Sequence, residues 1–467
     1  MTPLTQSRYN FVERLSNNSL ALYNTRTGSL IHVEPNEVKK VLSLLSDPVP
    51  EDPMVVTLEK EGFLVPYDCD ELEIVKQWYY EWRDDRYLIH LTMLPAEACN
   101  FGCPYCFQFN RRNLLMKPSV YDGVFKYLEN LVKENKRTDD NRSTMIKISW
   151  FGGEPTLAFD NIVAFHKKLK SLEDYGAKIR GIMVTNGYLL TVDKFLKLTS
   201  VGIKEFQVTL DGDAENHDKL RRLKNGKPTF QTIYDNLLQI SQLQQDVEFR
   251  FSIRGNFLRT SIDSMHRLLE MFHSDFGDDP RFEIYFRPVY NFETTRDDID
   301  EVSSEICGYQ EGLQLQLALA LKTMRMQRIN STVRMFDPLP RPTPSWCPAE
   351  RNYAFIVGAD GLLFLCDTWV GDEGLAHGRV SEDGRILLNE DGKKWRVSFF
   401  EENRKRCYEC KLLPVCMGGC KRERLSRLGR PACYWSEEDI RSAMHRVIEL
   451  NTLNDKAEPS QKSVDIR

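Results

Sequence analysis

Three cysteines, Cys99, Cys103 and Cys106, stand in a C-x3-C-x2-C spacing on one short loop, with Tyr105 directly before the last. Thiolates this close together can hold a cubic [4Fe–4S] cluster by three corners and leave its fourth iron without a protein ligand. An open iron can bind a small chelating cofactor, and that is where chemistry can begin. A C-x2-C pair by itself also suits structural zinc or a plain electron-transfer cluster. Seven further cysteines follow: Cys347 and Cys366, with Gly361 between them, then Cys407-x2-Cys410-x5-Cys416-x3-Cys420, then Cys433. Seven thiolates exceed one four-iron cluster or one zinc, so two more metal centres are implied. Cys69 and Cys307 stand apart, as small apolar residues commonly do.

Elements that would position the first loop are legible around it. Tyr87 to Met93 reads as a β-strand feeding the cysteines, with alternating apolar positions and β-branched or aromatic side chains. From about residue 87 to 290 strands alternate with helical patterns, which predicts an α/β fold, a partial (β/α)6 barrel with right-handed crossovers. The other strands are expected at Met145–Trp150, Ile182–Val184, Glu205–Leu210, Val247–Ile253 and Phe282–Phe286. The second ends in Gly152-Gly153-Glu154-Pro155, the third in Thr185-Asn186-Gly187 and the fourth in Asp211-Gly212. Each motif lies at the C-terminal end of a strand, where such folds gather ligand contacts. Taken alone, Gly-Gly-Glu-Pro is a strand-to-helix turn, and Arg221, beside Arg222 and Lys224, fits a solvated face.

The Cys99–Cys106 loop resembles the cluster motif of the radical S-adenosylmethionine (SAM) enzymes. That resemblance implies SAM chelated to the open iron and cleaved to a 5′-deoxyadenosyl radical that takes hydrogen from a substrate. It implies cofactor contacts from Tyr105, a SAM amino-group contact from Gly152, Gly153 and Glu154, and a ribose contact from Asn186. The stretch Thr209 to Arg221 is similar to one in peptide- and sulfatase-modifying members, where Thr209 and Arg221 would hold the SAM carboxylate. A guanidinium pairing bidentately with a carboxylate suits that task. The later cysteines resemble the SPASM extension, with two auxiliary [4Fe–4S] clusters and so three in all. By that resemblance Cys407, Cys410, Cys416 and Cys433 ligate the outer cluster, and Cys347, Cys366 and Cys420 the inner one. No cysteine occurs in Pro348–Val357 to supply an eighth ligand. The inner cluster is thus left with an open iron, or with Cys307 as a distant candidate. Asp367, directly after Cys366, matches an aspartate that takes a proton from substrate in sulfatase-maturing relatives, an orienting role being the alternative.

The expected domains are a module at 1–75, a linker helix at 76–86 (from the pattern Glu71–Asp85), the core at 87–290 and a helical connection at 291–345. The SPASM domain follows at 346–435, then a closing helix and a disordered tail at 436–467. In the first module two strands across Ser19–Val33 turn at Asn24–Gly28, helices follow Pro35 and at Met54–Lys60, and a strand closes at Gly62–Val65. This winged-helix-like layout resembles elements that bind a leader peptide as an added β-strand. A chain of 467 residues with net charge −5 gives no sign of a nucleic-acid partner. No apolar run reaches the roughly eighteen residues of a spanning helix, and the N-terminus lacks a signal-peptide core, so a cytoplasmic protein without membrane attachment is expected. The expectation for function is a radical SAM oxidoreductase that matures a ribosomally made precursor peptide by thioether or carbon–carbon cross-links. It would be served by an electron donor such as flavodoxin or ferredoxin. The alternative is an anaerobic sulfatase-maturing, formylglycine-generating enzyme.

Overall fold

The computed structural model describes residues 3–108, 112–290, 302–326, 339–426 and 433–457. Much of the expected 291–345 connection and the tail beyond Ala457 lie outside the described residues. The chain divides into two compact units. One comprises Met1–Asp85, Asp337–Arg351 and Val397–Arg467, the other Arg86–Phe336 and Asn352–Arg396. The cysteines of 346–435 are therefore shared out between both.

In the first unit, β1 (Leu4–Gln6), β2 (Asn10–Arg14), β3 (Leu20–Asn24) and β4 (Leu30–Val33) precede helices Val38–Ser46 and Pro53–Lys60 and strand β5 (Leu64–Pro66). The hairpin turn is as expected. Asn24 Oδ1 accepts from the amides of Arg26 and Thr27, and Gly28 takes a left-handed φ of 77°. Strands β1 and β2 are additions to the expected pattern, too short for a periodic signal. The sheet order β2-β3-β4 is antiparallel, and β1 pairs with β5.

Alternation along β3 sends its side chains to two different cores. Leu20 and Leu22 pack with Val38, Val41, Leu44, Leu45, Val55 and Leu58 of the two helices. Ala21 and Tyr23 join Phe11 in a cluster with Ile440, Ala443 and Met444 of the helix Glu437–Ala457. The N-terminal strands therefore share a core with the C-terminal helix, four hundred residues later in the chain.

The second unit is built on six parallel strands in consecutive order: β6 (Leu88–Ala96), β7 (Thr144–Gly152), β8 (Ala177–Thr185), β9 (Ile203–Thr209), β10 (Arg250–Phe257) and β11 (Phe282–Pro288). The outer strands β6 and β11 are not paired to each other, so the barrel is open, as predicted. In β7, Ile146, Ile148 and Trp150 are buried while Lys147 and Ser149 on the other face are only half-buried. Strand β10 starts later than expected because the Val247 amide closes a turn onto the Gln244 carbonyl at 3.1 Å. Beyond β6 the sheet continues into β12 (Ala354–Val357), parallel to β6, and then antiparallel β13 (Leu362–Phe364), β14 (Gly378–Val380) and β15 (Ile386–Leu388). Among the described residues no helix is long and apolar enough to cross a membrane.

Candidate active site

The cysteine loop leaves β6 just after Ala96 and is clamped by backbone on two sides. On one side the amides of Gly153 and Glu154 donate to the carbonyls of Ala96 (3.0 Å) and Ala98 (2.9 Å). A Cβ on Gly153 would lie 2.2 Å from the Ala98 oxygen and 2.4 Å from that of Glu97, so only glycine allows this approach. On the other side Gly102 donates to the Arg222 carbonyl and Lys224 to that of Asn100, both at 3.0 Å. That second clamp brings Arg221 to the cysteines. Burial pushes the Cys103 thiol up to about 12; Arg221 pulls it down, and Cys106, Asp211 and Cys99 add to the rise. All three thiols therefore share one neighbourhood.

Glu154 is fully buried, and its carboxylate is taken up by its own surroundings. Oε1 accepts from the Thr156 amide and from the hydroxyls of Thr156 and Thr185; Oε2 accepts from the Asn186 amide at 2.8 Å. The Asn186 side chain donates to Asn100 Oδ1 at 2.7 Å and accepts from the Tyr188 amide. Glu154 thus ties the loops after β7 and β8 together, and Asn186 carries that tie to the cysteine loop. Thr209 ends β9, buried, opposite Arg254 of β10.

Tyr105 is the hub of a second network. Its hydroxyl donates to Asp211 Oδ2 and accepts from Arg221 Nη1 at 3.0 Å and, more loosely, from Asn256 Nδ2 at 3.5 Å. Asp211 Oδ1 accepts from the Asn256 amide at 3.0 Å. The Arg221 guanidinium lies over the Phe101 ring, 5.6 Å from its centroid, and its buried Nε has no hydrogen-bond partner among the described residues. A guanidinium with one corner tied and its Nε unspent suits a carboxylate.

Comparison with known proteins matches residues 93–270 to the radical SAM superfamily. The chain is 26% identical over 349 residues to a cysteine-type anaerobic sulfatase-maturating enzyme of Clostridium novyi, covering 72% of this chain and 88% of that protein. It is 23% identical over 366 residues to a serine-type anaerobic sulfatase-maturating enzyme of Bacteroides thetaiotaomicron, covering 73% and 84%. The fold resembles the solved structure of anSMEcpe with bound AdoMet and Cp18Cys peptide. That match has a TM-score of 0.55 at 17% identity and covers 79% of this chain and all of that one. Residues 93–270 carry a radical SAM domain.

The residues present fit what a radical SAM enzyme must hold. Three thiols in one neighbourhood suit the cluster, and the Arg221 guanidinium beside them suits a ligand carboxylate. Among the described residues no three Cys, His, Asp or Glu side chains converge as for a single metal ion. A cubane spreads its thiolates more widely than one ion does.

Four more thiols lie together in the first unit. Burial raises Cys416 to about 12, and Cys433, Cys410 and Cys407 add to the rise; Cys433 and Cys410 act on Cys407 in the same sense. Cys347 and Cys420 belong to this unit too, whereas Cys366 belongs to the other. The segments after Cys347 and Cys420 are tied by charge. Fully buried Arg424 pairs with Glu350 and, at 3.0 Å, with Glu402. Lys421 sits 3.5 Å from Glu350. Asp367 follows Cys366 in the second unit, solvent-reached but enclosed by protein, which raises its carboxyl against the opposing pull of Arg254.

Asp211, Asn256 and Arg112 are the residues that sequence reasoning left unassigned. Asp211 carried a signal, since it sits at a strand end beside a left-handed glycine. Arg112 carried none: its fork reaches Glu97 nearby, but its other partners, Asp360 and Glu373, are 248 and 261 positions away.

Proposed function

We propose that this radical SAM enzyme matures a ribosomally made precursor peptide by oxidative cross-linking, binding the peptide through the N-terminal module. When bound, SAM and its cluster supply hydrogen-atom abstraction. Cys99, Cys103 and Cys106 would hold that cluster; Arg221 and Thr209 would hold the SAM carboxylate, the Gly152–Gly153 backbone its amino group, and Tyr105 and Asn186 would close the pocket. Glu154, its carboxylate saturated, supports these loops. Cys407, Cys410, Cys416 and Cys433 would carry an outer cluster and Cys347, Cys366 and Cys420 an inner one. Closing a C–S or C–C bond removes two hydrogens from the peptide, so the reaction is an oxidation. An electron donor such as flavodoxin or ferredoxin and a cytoplasmic setting belong to the same reading.

The observation that carries the peptide reading is the edge of β4. Among the described residues β4 pairs only with β3, whereas the other edge, β2, is capped by Arg441 and Lys411 reaching the carbonyls of Val12 and Asn10. The Asn24 amide donates to the Ser29 carbonyl. Antiparallel alternation then turns the inward bonds to Ile31 and Val33 and leaves the Leu30 and His32 amides facing out. An extended peptide adds to such an edge. His32→Pro removes one outward donor while sparing the β3 ladder. The expected result is at least a ten-fold loss of peptide affinity, with SAM binding as the control for an intact barrel; unchanged affinity would overturn the reading. Deleting the module is a poor test, because Phe11 and Tyr23 would vacate the core of the C-terminal helix.

A second reading, formylglycine formation, is favoured by Asp367 beside Arg254 and by the sulfatase-maturating relatives. It leaves the N-terminal module without a task.

A further inference from the structure

We infer that Asp211 is the positioning residue of the SAM pocket, setting the orientation of the Arg221 guanidinium through the Tyr105 hydroxyl. The inference rests on Arg221 being the SAM carboxylate partner.

Asp211 is fully buried, and every hydrogen-bonding group it has is committed. Its amide donates to His217 Nδ1 at 3.2 Å, and its carbonyl accepts from Asn216 Nδ2 at 2.7 Å. Its carboxylate accepts the Asn256 amide on Oδ1 and the Tyr105 hydroxyl on Oδ2. The backbone contacts fix where the carboxylate stands, and the carboxylate fixes the Tyr105 proton. A phenol that must donate to Asp211 offers its lone pairs elsewhere, and the donor it receives at 3.0 Å is Arg221 Nη1. Arg221 is anchored from its own side as well. Its amide donates to the His217 carbonyl at 2.6 Å, and its carbonyl accepts from the Thr229 hydroxyl, which also bonds His217 Nε2.

The tyrosine thus converts a buried carboxylate into an acceptor for arginine. A direct Asp211–Arg221 pair would take up the guanidinium and compete with the ligand carboxylate. With the phenol between them, one corner of Arg221 is tied while its Nε edge remains buried and unpartnered. Asn256 extends the same network to Arg254, whose Nε donates to its Oδ1 at 2.8 Å.

An asparagine at 211 keeps the shape but not the acceptor. Its amide nitrogen would compete with Arg221 and Asn256 as a third donor to the Tyr105 oxygen, or would leave the phenol proton unplaced. The test is equilibrium dialysis of SAM against the reconstituted, unreduced enzyme, with iron content and absorbance checking the cluster. Asp211→Asn and Tyr105→Phe are each expected to weaken SAM binding about ten-fold with iron unchanged. The double variant should be no weaker than the poorer single, because both remove the same relay. Losses that multiply, or wild-type affinity in Tyr105→Phe, overturn the inference. Should Asp211→Asn not fold, Tyr105→Phe alone decides, since it only deletes a hydroxyl. Arg221→Met tests the underlying reading. If it loses SAM while the other two do not, only the inference falls; if none loses SAM, both fall.

Discussion

Arg112 grips Glu97 with a two-pronged bond, Nε to Oε2 and Nη2 to Oε1, both 2.6 Å, and Glu97 stands two residues before Cys99. Glu97 is almost wholly buried and also accepts the Ala359 amide at 3.0 Å, while the third guanidinium nitrogen bonds Asp360 at 2.7 Å. The two ends of the cysteine loop are thereby locked to each other and to the turn before β13.

Replacing Arg112 by alanine should therefore loosen the cluster as well as the fold. Removing one partner of a buried pair costs about 3–5 kcal/mol because the remaining charge is stranded; partial exposure of Arg112 puts the expectation near the lower end. Urea unfolding should show that loss, and iron per chain should fall. Wild-type iron content and midpoint would contradict the role assigned to the fork.

Gly153→Ala should disable the site without a large loss of stability. Its Cβ would meet two backbone oxygens that cannot rotate away, forcing the loop apart. Overpacking of this kind costs about 1–3 kcal/mol, and a misplacement near 1 Å can cost on the order of 100-fold in rate. Gly308→Ala, where a Cβ meets nothing within 4 Å, is the matched control. SAM cleavage by the two variants, measured side by side, should differ by roughly that factor; equal rates would refute the close-approach argument.

Stability should fall between pH 7 and pH 5. Burial lowers His166 from 6.5 to about 4, and Trp150 Nε1 donates to its Nε2, which requires the neutral ring. The unfolded chain then takes the proton first, so stability held above about pH 6.5 is lost as pH falls toward 4. At pH 5 the loss is about 2 kcal/mol from this residue. His217, also lowered by burial, acts in the same direction. In His166→Gln, whose side-chain oxygen can still accept from Trp150, the pH dependence should shrink by that amount in urea titrations at the two pH values.

The barrel was legible because its strands carry strong local signals and its motifs sit at strand ends. The family resemblance, not spacing alone, singled out Gly152, Gly153 and Arg221, and the backbone clamps explain how they come beside the cysteine loop. Asp211 was visible but mute, since its partners Tyr105 and Asn256 are 106 and 45 residues away in sequence. The sharing of a core between β3 and the helix Glu437–Ala457 was hidden for the same reason. Alternating Leu and Ala or Tyr along Leu20–Tyr23 shows two buried faces, not what covers them. Burial of the Glu154 carboxylate against Thr185 and Asn186 likewise depends on the β7-to-β8 crossover, which no local pattern encodes.

The measurement that tests the account most directly is mass spectrometry of short peptides encoded beside this gene, incubated with the reconstituted enzyme, SAM and a reductant without oxygen. A peptide that loses two hydrogens per modification, keeps all its sulfur and carries no aldehyde that reacts with a hydrazide probe is the expected product. A peptide of unchanged mass, or one in which a cysteine has exchanged its sulfur for a carbonyl oxygen, would contradict it.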